Sequence, residues 1–160
     1  MFDEIDRQIL SIVQGSARTN NAEIARQVGM APSAVLERVR KLESRGIIEG
    51  YRALLSPDAL GLGLLAFVFV KTNEVLGRAS AGDQLAELPE VLEVHHVAGE
   101  DCYLIKVRAA NPEALGRLLR EKLGKISAVV STRSTIVLHT VKESCQLPLA
   151  EAEKPDETSS

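Results

Sequence analysis

Residues 31–46, APSAVLERVRKLESRG, constrain this chain more than any other stretch, because they read as one helix with both ends specified. Pro32 suits the first helical position, where its missing N–H costs nothing and its fixed φ already matches a helix. Gly46 suits a left-handed stop, with Ile47 packing back on Leu42 as in a Schellman ending. Val35, Val39 and Leu42 recur at helical spacing and define a narrow buried stripe. The opposite face carries Ser33, Glu37, Arg40 and Ser44, flanked by Ala34 and Lys41, and is short near its start and basic beyond. A helix lying in a DNA major groove needs this arrangement. Small or polar side chains near its N-terminus reach base edges, and cations further along meet phosphates. Taken alone, the stretch is better read as an ordinary solvated surface helix, since most basic amphipathic helices bind nothing.

The residues before it shift the balance. Asn20 and Glu23 have capping-box spacing and open a short helix, residues 21–28, with Ile24, Ala25 and Val28 facing inward. Gly29 follows, able to take the positive φ of a tight turn. Helix, glycine turn and a second helix with a basic outer face form the helix-turn-helix pattern. Ser33, Ala34 and Glu37 are the candidate base readers, and Arg40 and Lys41 the candidate phosphate contacts. Arg38 and Arg45 complete the candidate DNA-binding set.

A formal net charge of −3 over 160 residues argues against DNA only if charge is averaged. From 38 to 52, Arg38, Arg40, Lys41, Arg45 and Arg52 face only Glu43 and Glu49, and this local excess makes the electrostatic footprint. Trp is absent and aromatics are few, which disfavours a stacking platform for single strands. Cys102 and Cys145 form neither a metal-ligand spacing nor a disulfide framework. The opening MFDEID is acidic, unlike a signal peptide, and the apolar run 60–70 is too short to span a bilayer. A cytoplasmic protein with reduced thiols is expected.

Along the chain, Asp3 caps a first helix, residues 4–14, with Ile5, Ile9, Ile12 and Val13 as its buried face. Three helices then form one bundle over residues 1–51. Residues 47–55 read as extended, and 52–62 as a linker loosened by Gly61 and Gly63. From 63 to 142 the order is strand (64–72), helix (79–88, ended by Pro89), strand (91–97), strand (102–109), helix (opened by Asn111 and Pro112) and strand (129–141). Leu115, Leu118, Leu119 and Leu123 line one face of the second helix. This βαββαβ order predicts an α+β, ferredoxin-like domain, one antiparallel sheet with both helices on one face. The first strand, LLAFVFV, is apolar at successive positions, so its second face is expected to be buried too, most simply against another copy. Strand alternation is expected to put one of Phe67 and Phe69 on that face. Residues 143–160, rich in Pro, Glu and Ser, are expected to be a disordered tail.

With DEIDRQIL, AEIARQVGMAPSAVLERVRKLESRGII, the loop-strand AGEDCYLIKV and the closing STIVLHTVK in this order, the chain resembles the Lrp/AsnC (feast/famine) family of transcriptional regulators over nearly its whole length. The resemblance implies an ACT-like (RAM) C-terminal domain that dimerises through its sheet, with dimers commonly assembling into octamers. It implies an amino acid or related metabolite bound in clefts between dimers. Carried over residue by residue, the ligand positions are Gly99, Glu100, Asp101, Cys102 and Tyr103, with Thr132 and Ser134 opposite. Gly99 lets backbone approach a ligand, and Glu100 or Asp101 can accept an α-ammonium. Two departures stand out. Cys102 occupies a position where many members have Asp, and Ala31 replaces the usual Ser before Pro32, a poorer cap by about 1 kcal/mol.

No cofactor, metal or catalytic residue is expected, because no Ser nucleophile has a recognisable base, no P-loop exists and no Gly-rich dinucleotide fingerprint follows a strand. The rival is an enzyme of the same two-domain architecture, a siroheme decarboxylase, for which His95, His96 and Arg108 are the residues to recruit. The Asn-His-Asn-Tyr-like run of those enzymes is missing here, and adjacent strand histidines point to opposite faces. In a third reading the helix-turn-helix serves only protein contacts, which the basic outer face opposes.

Overall fold

A computed structural model describes residues 3–73, 81–99 and 101–149. The chain divides into two compact units, one running to Leu54 and resuming at Glu143, the other spanning residues 55–142.

In the first unit, α1 (Glu4–Gly15) begins on a complete capping box. The Asp6 amide donates to Asp3 Oδ1 at 2.8 Å and the Asp3 amide donates to Asp6 Oδ2 at 3.2 Å. Helix α2 (Asn21–Val28) is capped by Asn20, whose side chain accepts from the Glu23 amide at 2.9 Å. The reciprocal half of the expected box does not form, because the Glu23 carboxylate turns outward to Arg26 and Gln27. Helix α3 (Pro32–Ser44) has Pro32 at its start and no side-chain cap from Ala31. It ends as a full Schellman motif. The Gly46 amide donates to Glu43 O at 2.9 Å, the Ile47 amide donates to Leu42 O at 2.9 Å, and Gly46 has φ +67°. The core joins Ile9 and Leu10 of α1, Ile24 and Ala25 of α2, and Val35, Val39 and Leu42 of α3. Leu10 is buried although the periodic reading passed it over, while Ile5, Ile12, Val13 and Val28 close the rim.

Residues 47–55 pair with no strand among the described residues. The segment after Lys142 differs from the expected free tail as far as Leu149. The Leu147 amide donates to Gln14 Oε1 at 2.7 Å, Gln14 Nε2 donates to Leu147 O at 3.2 Å, and Gln146 Nε2 donates to Gln14 O at 3.2 Å. Leu149 also packs against the helical core. Unmade backbone bonds at the end of α1 explain this, since Gln14 sits where the helix can no longer satisfy its own carbonyls. Residues 150–160 lie outside the described residues.

The second unit is a four-stranded antiparallel sheet in the order β2-β3-β1-β4, from β1 (Leu64–Thr72), β2 (Val91–His96), β3 (Tyr103–Ala109) and β4 (Val129–Ile136). Helices α4 (Ala81–Ala86) and α5 (Pro112–Arg117) cover one face, and α5 runs on through a π turn and a 3₁₀ turn to Lys125. Ala66, Val68, Val70, Ile105 and Val107 pack there against Ala81, Leu85, Leu115, Leu118 and Leu123, all almost fully buried. The expected start of α4 at 79 falls outside the described residues.

Two expectations change. Strand β4 stops at Ile136 rather than continuing to 141, because its partner β1 begins at Leu64. After the Val137 amide bonds Leu65 O there is no neighbour left to pair with. His139 therefore lies beyond the strand. Phe67 and Phe69 do not divide between the two faces, because residues two apart on a strand share one. Both stand half-buried on the face away from the helices, in register with Lys106 and Leu104 on one side and Thr135 and Arg133 on the other.

Candidate functional site

The outer face of α3 presents Ser33, Glu37, Arg40, Lys41 and Arg45 exposed to solvent, with Ala34 half-buried among them. Ala31 offers no side-chain cap at the positive end of this helix. Ala34, Glu37, Lys41 and Arg45 line an open groove of about 380 Å³ together with Asp3, Asp6 and Arg38. Arg38 differs from its neighbours. One terminal nitrogen donates to Asp3 at 2.8 and 3.0 Å and to Asp6 at 2.7 Å. The Asp6 backbone N–H, then the Arg38 guanidinium, hold the Asp3 carboxyl below the usual carboxylate range. On α2, hydrogen bonds from Arg26 and then Gln27 lower the Glu23 carboxyl to about 2.

Beyond α3, the Tyr51 hydroxyl donates to Glu43 at 2.9 Å, fastening the start of the following segment to the helix. Sequence reasoning missed this contact because nothing in periodicity links positions eight apart across a turn.

In the second unit the loop between β2 and β3 is closed by the Val97 amide donating to Cys102 O at 2.9 Å. Gly99 has φ +133°, where L side chains are strained, and the space a Cβ would enter is open. Glu100 lies outside the described residues. Asp101 is engaged by Arg133, which donates to its Oδ2 at 2.8 Å while its guanidinium lies 4.2 Å from the Phe69 ring centroid. The Cys102 thiol lies 3.7 Å from Thr72 O. Tyr103 is buried against the helices, its ring 5.1 Å from that of His96 and against Gly82, so its side chain does not line the loop. Thr132 and Ser134 are exposed on edge strand β4, opposite Val70 and Val68, and so lie on the helix side of the sheet. Asp101 instead reaches Arg133 on the other side. The structure therefore gathers Gly99, Asp101 and Cys102 in one loop. It sets Thr132 and Ser134 on the neighbouring edge and turns the Tyr103 side chain into the core. Arg133 was the residue to notice, since alternation places it between Thr132 and Ser134 on the opposite face.

The histidines do not converge. His96 stacks on Tyr103 on the helix side, His95 lies 3.2 Å from Glu93 on the other, and Arg108 stands at the far end of β3, opposite Leu65. Among the described residues no group of three or more His, Cys, Asp or Glu could hold a metal ion, and no helix is long and apolar enough to cross a membrane.

Comparison with known proteins agrees with both units. Residues 2–49 match a winged helix-turn-helix DNA-binding domain and residues 65–147 the Lrp/AsnC ligand binding domain. The leucine-responsive regulatory protein of Escherichia coli is 40% identical over 150 residues, 91% of this chain and 90% of that protein. An HTH-type transcriptional regulator of Pyrococcus horikoshii is 38% identical over 149 residues, covering 92% and 97%. Among solved structures, a transcriptional regulator of Neisseria meningitidis in complex with L-methionine superposes with a TM-score of 0.85 at 31% identity, covering 92% of this chain and 97% of that one. AsnC of E. coli superposes with a TM-score of 0.83 at 34% identity, covering 89% and 96%.

Proposed function

This chain belongs to the Lrp/AsnC family of transcriptional regulators, and on that premise we propose which of its residues meet DNA and which meet the effector. It is a DNA-binding regulator and not an enzyme. Its α3 enters the major groove of a pseudo-palindromic operator. Ser33, Ala34 and Glu37 face base edges, and Arg40, Lys41 and Arg45 meet phosphates. The observation that carries this reading is the uncapped, solvent-facing start of α3 followed by exposed cations on the same face. Arg40→Ala should weaken binding to all sequences alike and reduce the salt slope by about 1. Failure of the wild-type protein to retain any operator-like duplex at low salt would overturn the assignment.

The effector is an α-amino acid with an apolar side chain, a reading supported by the leucine-responsive relatives and the methionine-bound neighbour. Gly99 gives its backbone room. Thr132 and Ser134, on the other side of the sheet from Asp101, supply hydroxyls to its carboxylate from a neighbouring dimer. The carboxylates of the 100–101 pair supply the ammonium acceptor, with Arg133 holding Asp101 in place. The protein works in the cytoplasm as a homodimer joined through the open sheet face, and dimers assemble further into octamers with the effector between them. Gly99→Val should abolish the calorimetric response to leucine and methionine while operator binding persists, and equal affinity in both proteins would misplace the site.

A further inference from the structure

The α3 helix carries one arginine whose surroundings set it apart from the rest of the basic face. We infer that Arg38 is a positioning residue for DNA recognition and makes no phosphate contact of its own. It locks the N-terminus of α1 to the middle of α3 and offsets part of the charge of two carboxylates at the edge of the DNA-facing groove. The inference rests on α3 being the DNA-facing helix.

Four observations carry it. A single Arg38 nitrogen is shared by both carboxylates of the α1 capping box, at 2.7–3.0 Å. Those carboxylates are already bound to each other's backbone amides, so their geometry is fixed before Arg38 arrives. The Arg38 side chain is 30% exposed and that of Asp6 14%, so the Arg38–Asp6 contact is partly enclosed, while Asp3 lies open at its edge. Asp3 and Asp6 line the same groove as Ala34, Glu37, Lys41 and Arg45. Without Arg38 the groove would hold three carboxylates against two cations, a field that repels a phosphate backbone. With Arg38 the three carboxylates meet three cations, and the groove no longer opposes the approach of DNA to Lys41 and Arg45. The two aspartates fix one of the three guanidinium nitrogens, and with it the direction of the whole side chain, toward the start of α1.

The test separates this role from a phosphate contact by salt dependence and by rescue. Operator affinity is measured across a salt series for the full-length wild type, Arg38→Gln, Asp3→Asn/Asp6→Asn, and the triple variant, with melting curves confirming the fold of each. Arg38→Gln should lose about tenfold in affinity, within the range for members of one salt-bridge network, with the wild-type salt slope retained. The triple variant, which removes both aspartate charges along with Arg38, should recover most of that loss. The double variant, in which three cations face Glu37 alone, should bind tighter than wild type. The inference is overturned if Arg38→Gln lowers the slope by about 0.9, if the triple variant stays as weak as Arg38→Gln, or if the double variant binds no tighter than wild type. Should Arg38→Gln fail to fold, the double variant still decides it. Loss of operator binding by the wild type itself would instead defeat the placement of α3 on DNA.

Discussion

At the scale of single residues, charge is what the helical unit holds most sensitively. Asp3 and Glu23 both have carboxyls lowered below their ordinary values, the first by the Asp6 amide and Arg38, the second by Arg26 and Gln27. A lowered folded-state pKa means that the unfolded chain takes up its proton first as pH falls. The stabilisation is complete above the unfolded value and is lost as pH drops through the folded one. For Glu23 that window runs from 4.5 down to about 2. The melting temperature of the wild type should therefore decline through this range. In Glu23→Gln the decline should be shallower, because one titrating partner is gone. Thermal scans at several pH values would show it, and parallel curves for the two proteins would contradict it. Both groups are solvent-exposed, so the effect should shrink in high salt.

At the scale of elements, what could be read in advance was what depends on neighbours in sequence. Helix α3 was legible at both ends because proline and glycine act on their own backbone. Gly46 adopted the left-handed conformation that its position demanded. Gly46→Ala should cost the helical unit about 1–2 kcal/mol, the strain of placing an L side chain there, measurable by chemical denaturation. An unchanged midpoint would mean that the ending relaxes without loss. The order of strands and helices was legible for the same reason, through periodicity and turn residues. What escaped depends on partners distant in sequence. The end of β4 is set by where β1 begins. Asp101 reads in sequence as an ammonium acceptor, and only the fold brings Arg133 to it. Tyr103 is a ligand position by resemblance, while the close approach of α4 at Gly82 holds its ring in the core.

At the scale of the whole molecule, the sheet leaves Phe67, Phe69 and Leu104 on the face opposite α4 and α5, which no described helix of this unit covers. An apolar patch of this kind is unfavourable in water and marks a surface meant for a partner. Replacing Phe67 and Phe69 together with Asp should convert the assembly to monomers, because both changes fall on the same face while the helix-side core is untouched. Light scattering at micromolar concentration is the measurement. A wild type that is already monomeric would remove the basis for the dimer.

The route of the chain also decides what a single cut can do. The polypeptide leaves the helical unit near Leu54, builds the sheet and comes back to lay Gln146, Leu147 and Leu149 against the first helix. A protease nicking once between 55 and 62 severs one link and leaves another made of hydrogen bonds and a leucine. The amino-terminal piece stays moored to the remainder and travels with it on gel filtration, parting only in denaturant. Two bands on a denaturing gel after mild digestion would then describe a regulator that is broken in covalent terms and still whole as a particle.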